Sequence, residues 1–245
     1  MFQPLTAARQ QLQETRMPWP EEEAGEPPAN LLRFLDQLHL LPFCDDLAQA
    51  LAKDDLDLGE LVTSRDLATL LRYLLDPCGL NYAQHPKALL PFHRETGSTR
   101  TAFIEHIAES ALLNSGQGEV SLHFTVSPEH LELFRAEEAS WKKTLVETSG
   151  CRFSIGYSTQ KPSTDTLSLN SAGDVLRNED GRLVLRPGGH GALLDNLAEL
   201  DGDIVLIRNI DNVVPDCRKQ VNLEWSCRLA GFLLKLQEEQ HGLLR

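Results

Sequence analysis

Val120-Ser121-Leu122-His123-Phe124-Thr125-Val126 alternates apolar and polar residues without a break, the period of two that marks a strand with one buried face. Ser127-Pro128-Glu129 comes directly after it and reads as a helix start. A hydroxyl stands at the cap, and proline takes the first helical position, where its missing N–H removes no hydrogen bond. Leu131, Phe134, Trp141 and Leu145 carry the helix to Gly150, after which Phe153, Ile155 and Tyr157 resume the strand period. Strand, helix and strand in succession predict a mainly parallel sheet covered by helices.

The same rhythm extends outward. Upstream, a helix is expected to open at Thr99 and to turn Phe103, Ile104, Ile107, Ala108 and Ala111 inward. Downstream, Val175 to Leu185, turning at Asp180-Gly181, reads as a β-hairpin. A helix is expected over 192–200, and then Ile204-Val205-Leu206-Ile207, a continuous apolar run of the kind parallel sheets bury on both faces. A last helix carries Val221, Trp225, Leu229, Phe232, Leu233 and Leu236. From Asn30 to about Asp76 the pattern is purely helical. Asn30 is a candidate N-cap before Leu31, Leu32, Phe34, Leu35 and Leu38, and Leu67, Leu70, Leu71, Leu74 and Leu75 repeat at helical spacing until Pro77 and Gly79. Before that, Met17-Pro18-Trp19-Pro20 and Pro27-Pro28 break any helix. The expected organisation is an irregular segment over 1–29, a helical insert over 30–80, and an α/β domain over 81–245.

The 245 residues carry 23 Lys+Arg against 36 Asp+Glu, a net charge of −13. Phosphate backbones are bound through clustered Lys and Arg, so a nucleic-acid partner is not expected. A 41% hydrophobic and 24% charged composition excludes disordered and coiled-coil classes. No apolar run reaches membrane-spanning length, and a signal peptide is not expected, since no charged n-region followed by an apolar h-region stands at the start. The cysteines, Cys44, Cys78, Cys151, Cys217 and Cys227, are odd in number, scattered, and free of any C-x-x-C pair. Neither a disulfide framework nor a structural zinc site is indicated, and a reducing, cytoplasmic setting is expected.

In open parallel sheets, ligands sit beyond the C-terminal strand ends. Polar clusters fall where such ends are expected: Ser158 to Thr166, Arg186-Pro187-Gly188-Gly189-His190-Gly191, and Asn209-Ile210-Asp211-Asn212, with His85 to His93 further upstream. The glycines permit positive φ and close approach of backbone N–H groups to a ligand, or simply form a tight turn before a helix. They match neither a dinucleotide fingerprint nor a P-loop. Asp211 is placed to hold Mg²⁺ or to cap a turn. Gln160 reads a base edge or satisfies a strand end, and Lys87 pairs with a phosphate or is solvated. Gly156-Tyr157-Ser158-Thr159-Gln160 lacks the last glycine of a nucleophile elbow, and the histidines show no zinc spacing.

In order, Phe124-Thr125-Val126-Ser127, Gln160-Lys161-Pro162, Pro187-Gly188-Gly189-His190-Gly191-Ala192-Leu193 and Ile210-Asp211-Asn212 resemble the motif succession of UDP-sugar pyrophosphorylases. The stretches Lys87–His93, Arg100-Thr101 with Glu105-His106, Gln160–Thr166 and Arg186–Asn212 look like the hallmarks of a bacterial family, domain of unknown function 4301. The resemblance covers roughly residues 81–235 and implies a Rossmann-like nucleotidyltransferase fold. It also implies a nucleoside triphosphate and a sugar phosphate as substrates. By the same resemblance Gln160, Gly189, His190, Gly191 and Asn212 would contact the nucleotide, and Asp211 would coordinate Mg²⁺. Lys87 and Arg100 would neutralise the transferring phosphate, within a positive field completed by Arg94, Lys161 and Arg186. The family's glycine-rich triphosphate loop has no counterpart before Pro86, and Met1-Phe2 looks like the residues just downstream of that loop. On this reading the chain is a truncated domain, inactive alone. A non-catalytic nucleotide-binding or protein-interaction module is the alternative.

Overall fold

The computed structural model describes residues 29–95, 98–114 and 118–243, so the reading of the first 28 residues lies outside it. Internal contacts divide the chain into two compact units, Met1–Phe103 and Ile104–Arg245.

Among the described residues of the first unit, four α-helices follow in close succession: α1 (Ala29–Gln37), α2 (Cys44–Ala52), α3 (Leu58–Ser64) and α4 (Leu67–Leu75). Aspartates start the last two. Asp57 accepts from the Glu60 amide at 2.9 Å, and Asp66 accepts from the Thr69 amide at 3.0 Å and its hydroxyl at 2.8 Å, each satisfying helix donors that lack a partner in the first turn. Asn30 is not a cap, because α1 already begins at Ala29. Leu67, Leu70, Leu71, Leu74 and Leu75 are all buried, as their spacing predicts, in a core with Leu31, Leu35, Leu38, Phe43, Leu47 and Leu51. Gly79 is dictated by the turn after α4. A Cβ there would lie 1.9 Å from the Tyr73 carbonyl oxygen, which accepts the Leu80 amide at 2.7 Å.

Two short strands close this unit, β1 (Pro91–Glu95) and β2 (Ser98–Thr101), paired antiparallel with His93 opposite Arg100. Here the expected helix start at Thr99 is corrected. Thr99, Arg100 and Thr101 pair with β1, and α5 (Ala102–Leu113) begins only after them. Phe103, Ile104 and Ile107 are fully buried on it, as expected.

The second unit is organised by one parallel pair, β3 (Glu119–Thr125) and β4 (Arg152–Ser158), with Thr125 opposite Ser158. Between them runs α6 (Leu131–Ser149), ended by Gly150 at φ 70°, the left-handed conformation glycine adopts without a Cβ penalty. Phe134 and Leu145 are the buried anchors of α6, and Tyr157 on β4 donates to Glu138 at 2.8 Å. Val120, Ala111 and Cys151 form the local core with Leu122 and Phe153. The architecture is therefore mixed α/β. Among the described residues it holds this two-stranded parallel pair and two antiparallel pairs, β1–β2 and β5 (Thr166–Leu167) with β6 (Leu185–Arg186). No broad parallel sheet is present among them.

The expected hairpin is part of a longer arm spanning 166–186. It turns at Gly181, φ 76°, and carries bridges Arg177–Leu183 and Leu169–Val175. A short helix, α7 (Leu194–Ala198), comes after the glycine cluster. One apolar expectation fails. Ile204 to Ile207 is no strand, and Ile207 is 73% exposed. Content alone reads as a buried strand, but a strand needs a neighbour to pair its backbone, and none does so among the described residues. The expected last helix is present as α8 (Asp216–Leu243), and it leaves Val221, Trp225, Leu229 and Phe232 exposed.

What fastens α8 to this unit is ionic. Glu105 on α5 and Lys219 on α8 are buried and bonded to one another, and Lys219 also reaches Asp216. Arg208 donates to Glu109 at 2.7 Å and to Ser226 at 2.8 Å. His106, next to Glu105 and three residues before Glu109, has Nε2 at 3.1 Å from the Ile210 carbonyl oxygen. Burial holds the His106 imidazole below its ordinary pKa of 6.5, against the opposing pull of the Ile210 carbonyl and Glu109. The neutral ring with its proton on Nε2 then donates to Ile210. A histidine whose folded pKa is depressed binds more protons unfolded than folded, so stability present above 6.5 is lost as pH falls from that value through the lower folded one. Urea midpoints compared between pH 7.5 and 5.5 are expected to fall, and His106→Gln is expected to flatten that dependence.

Candidate binding corner at the strand ends

The C-terminal ends of β3 and β4 carry a polar cluster assembled from three chain segments. Gly156 makes room for it. A Cβ at Gly156 would lie 2.8 Å from His123 Nδ1 on the neighbouring strand. Because that space is open, His123 Nε2 sits 2.8 Å from Ser158 Oγ, which is also 3.3 Å from Thr125 Oγ1. Asn196 on α7 closes the cluster. Its amide donates to Ser158 Oγ and to the Thr159 carbonyl, both at 2.9 Å, and its own Oδ1 is buried without a hydrogen-bond partner. A buried carbonyl in that state costs free energy until a donor reaches it.

Beyond Ser158 the chain makes a compact loop. The Thr164 amide and hydroxyl bond the Lys161 carbonyl at 2.9 and 2.7 Å. Gln160 Nε2 donates to Asp165 at 3.3 Å, the long end of the hydrogen-bond range. Against this loop lies the glycine cluster. A Cβ on Gly188 would stand 2.7 Å from the Thr164 carbonyl oxygen, 2.9 Å from Ala192 Cβ and 3.6 Å from Gln160 Nε2. Only glycine lets the two loops meet. Gly189 and Gly191 differ, since nothing lies within 4 Å of a Cβ on either, and neither takes the positive φ that the sequence permitted. Their backbone faces open space, with exposed His190 between them at the start of a 3₁₀ turn.

Thus Gln160, Gly189, His190 and Gly191 belong to one corner. Asn212 lines a cleft against α8, and Asp211 is exposed beside it in a turn closed by the Asn212 amide on the Asn209 carbonyl at 3.0 Å. Lys87, exposed, and Arg100, on β2, belong to the first unit. Two members of the expected positive field are already paired. Lys161 Nζ is 2.6 Å from Glu199, which raises its pKa, and Arg94 is 3.2 Å from Asp45.

Sequence reasoning missed Asn196 and His123, and placed Ser158 in a strand-end cluster without their contact to it. For Asn196 a signal existed. Leu193, Asn196, Leu197 and Leu200 share one helical face, and an amide on an apolar face announces a buried hydrogen-bonding role. His123 and Ser158 carried no such signal, because their meeting depends on the pairing register.

Among the described residues no helix is long and apolar enough to cross a membrane, and no group of three or more His, Cys, Asp or Glu could hold a metal ion. All five cysteines are free thiols. The family model "Domain of unknown function (DUF4301)" matches residues 1–245. No curated protein and no solved structure matches the chain.

Proposed function

We propose that this chain, which belongs to the DUF4301 family, binds a nucleotide at the strand-end corner and is of nucleotidyltransferase type. The observation that carries the reading is the junction of the Gln160 loop with the glycine loop, fixed by the contact of Gly188 with Thr164. A carboxamide and a run of open backbone then stand together at the C-terminal end of a parallel pair, where α/β folds receive their ligands. Gln160 can exchange its long bond to Asp165 for a base edge, since a primary amide offers both donors and an acceptor. The Gly189-His190-Gly191 backbone lies against base and ribose.

In the transfer itself, a sugar phosphate oxygen attacks the α-phosphorus of the triphosphate. The bond to the β-phosphate breaks, and pyrophosphate leaves with the electron pair. Such displacements are accelerated chiefly by positioning and charge neutralisation. The described residues build no metal cage, and by the resemblance Asp211 would be the one carboxylate to hold Mg²⁺, an ion that usually takes one or two carboxylates and keeps several waters. When bound, the ion would neutralise charge on the substrate phosphates.

Calorimetry with UTP, ATP, GTP and CTP in the presence of Mg²⁺ tests the reading, and saturable binding of at least one is expected. Gly189→Ala and Gly191→Ala are the discriminating variants. Each leaves the fold intact, because the added methyl meets nothing within 4 Å. Each is expected to weaken nucleotide binding by roughly tenfold, as a methyl intrudes on the ligand's path. Wild-type affinity in both variants would remove the glycines from the site. Pyrophosphate release on addition of a sugar 1-phosphate would favour the transferase over the non-catalytic module.

A further inference from the structure

The last helix carries an apolar stripe that its own unit leaves uncovered. At 3.6 residues per turn, Val221, Trp225, Leu229, Phe232, Leu236 and Leu243 of α8 fall within about 80° of one another and extend over about 33 Å. Each is 46–88% exposed. A different side of the helix faces the unit, where Lys219 is buried against Glu105 and Ser226 accepts from Arg208. A stripe this narrow is the seam by which two helices pair, since a helix lying on a globular core needs a wider one.

The order of residues along the stripe selects the partner. When a second α8 is laid antiparallel with a two-fold axis beside Leu229, that leucine meets its own counterpart. Trp225 then lies opposite Phe232 of the second copy, and Val221 lies opposite Leu236. The same register sets Arg218 opposite Glu239, both exposed on the line of the stripe. Every pair occurs twice, as a closed two-fold interface requires, whereas an unrelated partner gives the stripe no reason to match itself when reversed. Charge agrees. On a chain of net −13, residues 216–243 hold four acids and four Lys or Arg, so two copies can meet here without the repulsion their net charge imposes elsewhere. Arg228, the cation nearest the axis, is compensated within its own helix, 3.8 Å from Glu224 and stacked over Trp225 at 5.5 Å from the ring centroid. We propose that α8 is a dimerisation helix, pairing antiparallel with α8 of a second copy of this chain.

The test is sedimentation equilibrium of the whole chain, in which a species of twice the chain mass is expected, dissociating on dilution. Leu229→Glu places like charges side by side at the axis, and Phe232→Glu takes a ring away from each Trp225. Each is expected to weaken association about a hundredfold or more, with an unchanged circular dichroism spectrum because both positions are exposed. Arg218→Glu and Glu239→Arg are each expected to weaken it severalfold, and the double variant to restore it, since the exchanged charges again face each other. A chain monomeric at every concentration leaves the stripe to some other partner and overturns the proposal. A dimer that survives both Leu229→Glu and Phe232→Glu overturns it too, as does a double charge exchange no tighter than the single ones. No nucleotide enters the measurement, so its outcome is separate from that of the strand-end corner.

Discussion

Lys219→Met will lower the unfolding free energy of the chain by about 3–5 kcal/mol in urea titrations. Lys219 and Glu105 are 1% and 0% exposed. Removing the ammonium leaves the Glu105 carboxylate in a place where water cannot solvate it. Asp216, the other carboxylate bonded to Lys219, lies nearer solvent, its side chain 46% exposed, and loses less when the ammonium is removed. The paired variant Lys219→Met with Glu105→Leu is expected to recover most of the loss, because a buried ion pair contributes little net stability over an apolar pair of similar volume. A single variant as stable as the wild type would show that Glu105 is not held as an ion by Lys219.

The second large effect is at Gly188. Gly188→Ala places a methyl carbon 2.7 Å from the Thr164 carbonyl and 2.9 Å from Ala192 Cβ, and one of those neighbours is backbone. Either the Gln160 loop or the glycine loop must move. The expected cost is about 1–3 kcal/mol, the usual range for overpacking, with loss of nucleotide binding beyond that of Gly189→Ala. The contrast within one tetrapeptide is the informative part. Gly188 is glycine for packing, while Gly189 and Gly191 have no packing reason to be glycine. A Gly188→Ala protein with wild-type stability and binding would mean that the two loops do not depend on their contact.

Much of the fold was legible where a single period ruled. The leucines of α4 and the alternation of β3 and β4 are local patterns, and each produced the element expected. The parallel pair is nonetheless the alternating one, with Ser121, His123 and Thr125 exposed, whereas the continuous run Ile204–Ile207 stayed out of any sheet. Apolar content states that burial is favourable, not that a partner strand is at hand. The start of α5 was misplaced for a related reason, since Thr99 to Thr101 are recruited by β1 through pairing that helical spacing cannot reveal. For the site, the glycine cluster and Gln160 stood out by composition, and their adjacency is a tertiary fact. The buried ions were least legible. Nothing in the local pattern singles out Glu109 or Lys219, Glu105 stood out only beside His106 in the family resemblance, and only the fold brings the acids of α5 to Arg208 and to the first turn of α8.

The most direct test of the strand-end corner is amide mapping by ¹H–¹⁵N NMR during titration with a nucleoside triphosphate and Mg²⁺. The account predicts the largest shifts at Thr159, Gln160, Gly189, His190 and Gly191, with the Gln160 side-chain amide moving as its bond to Asp165 is exchanged. Shifts confined to other parts of the chain, or none at saturating nucleotide, would contradict it.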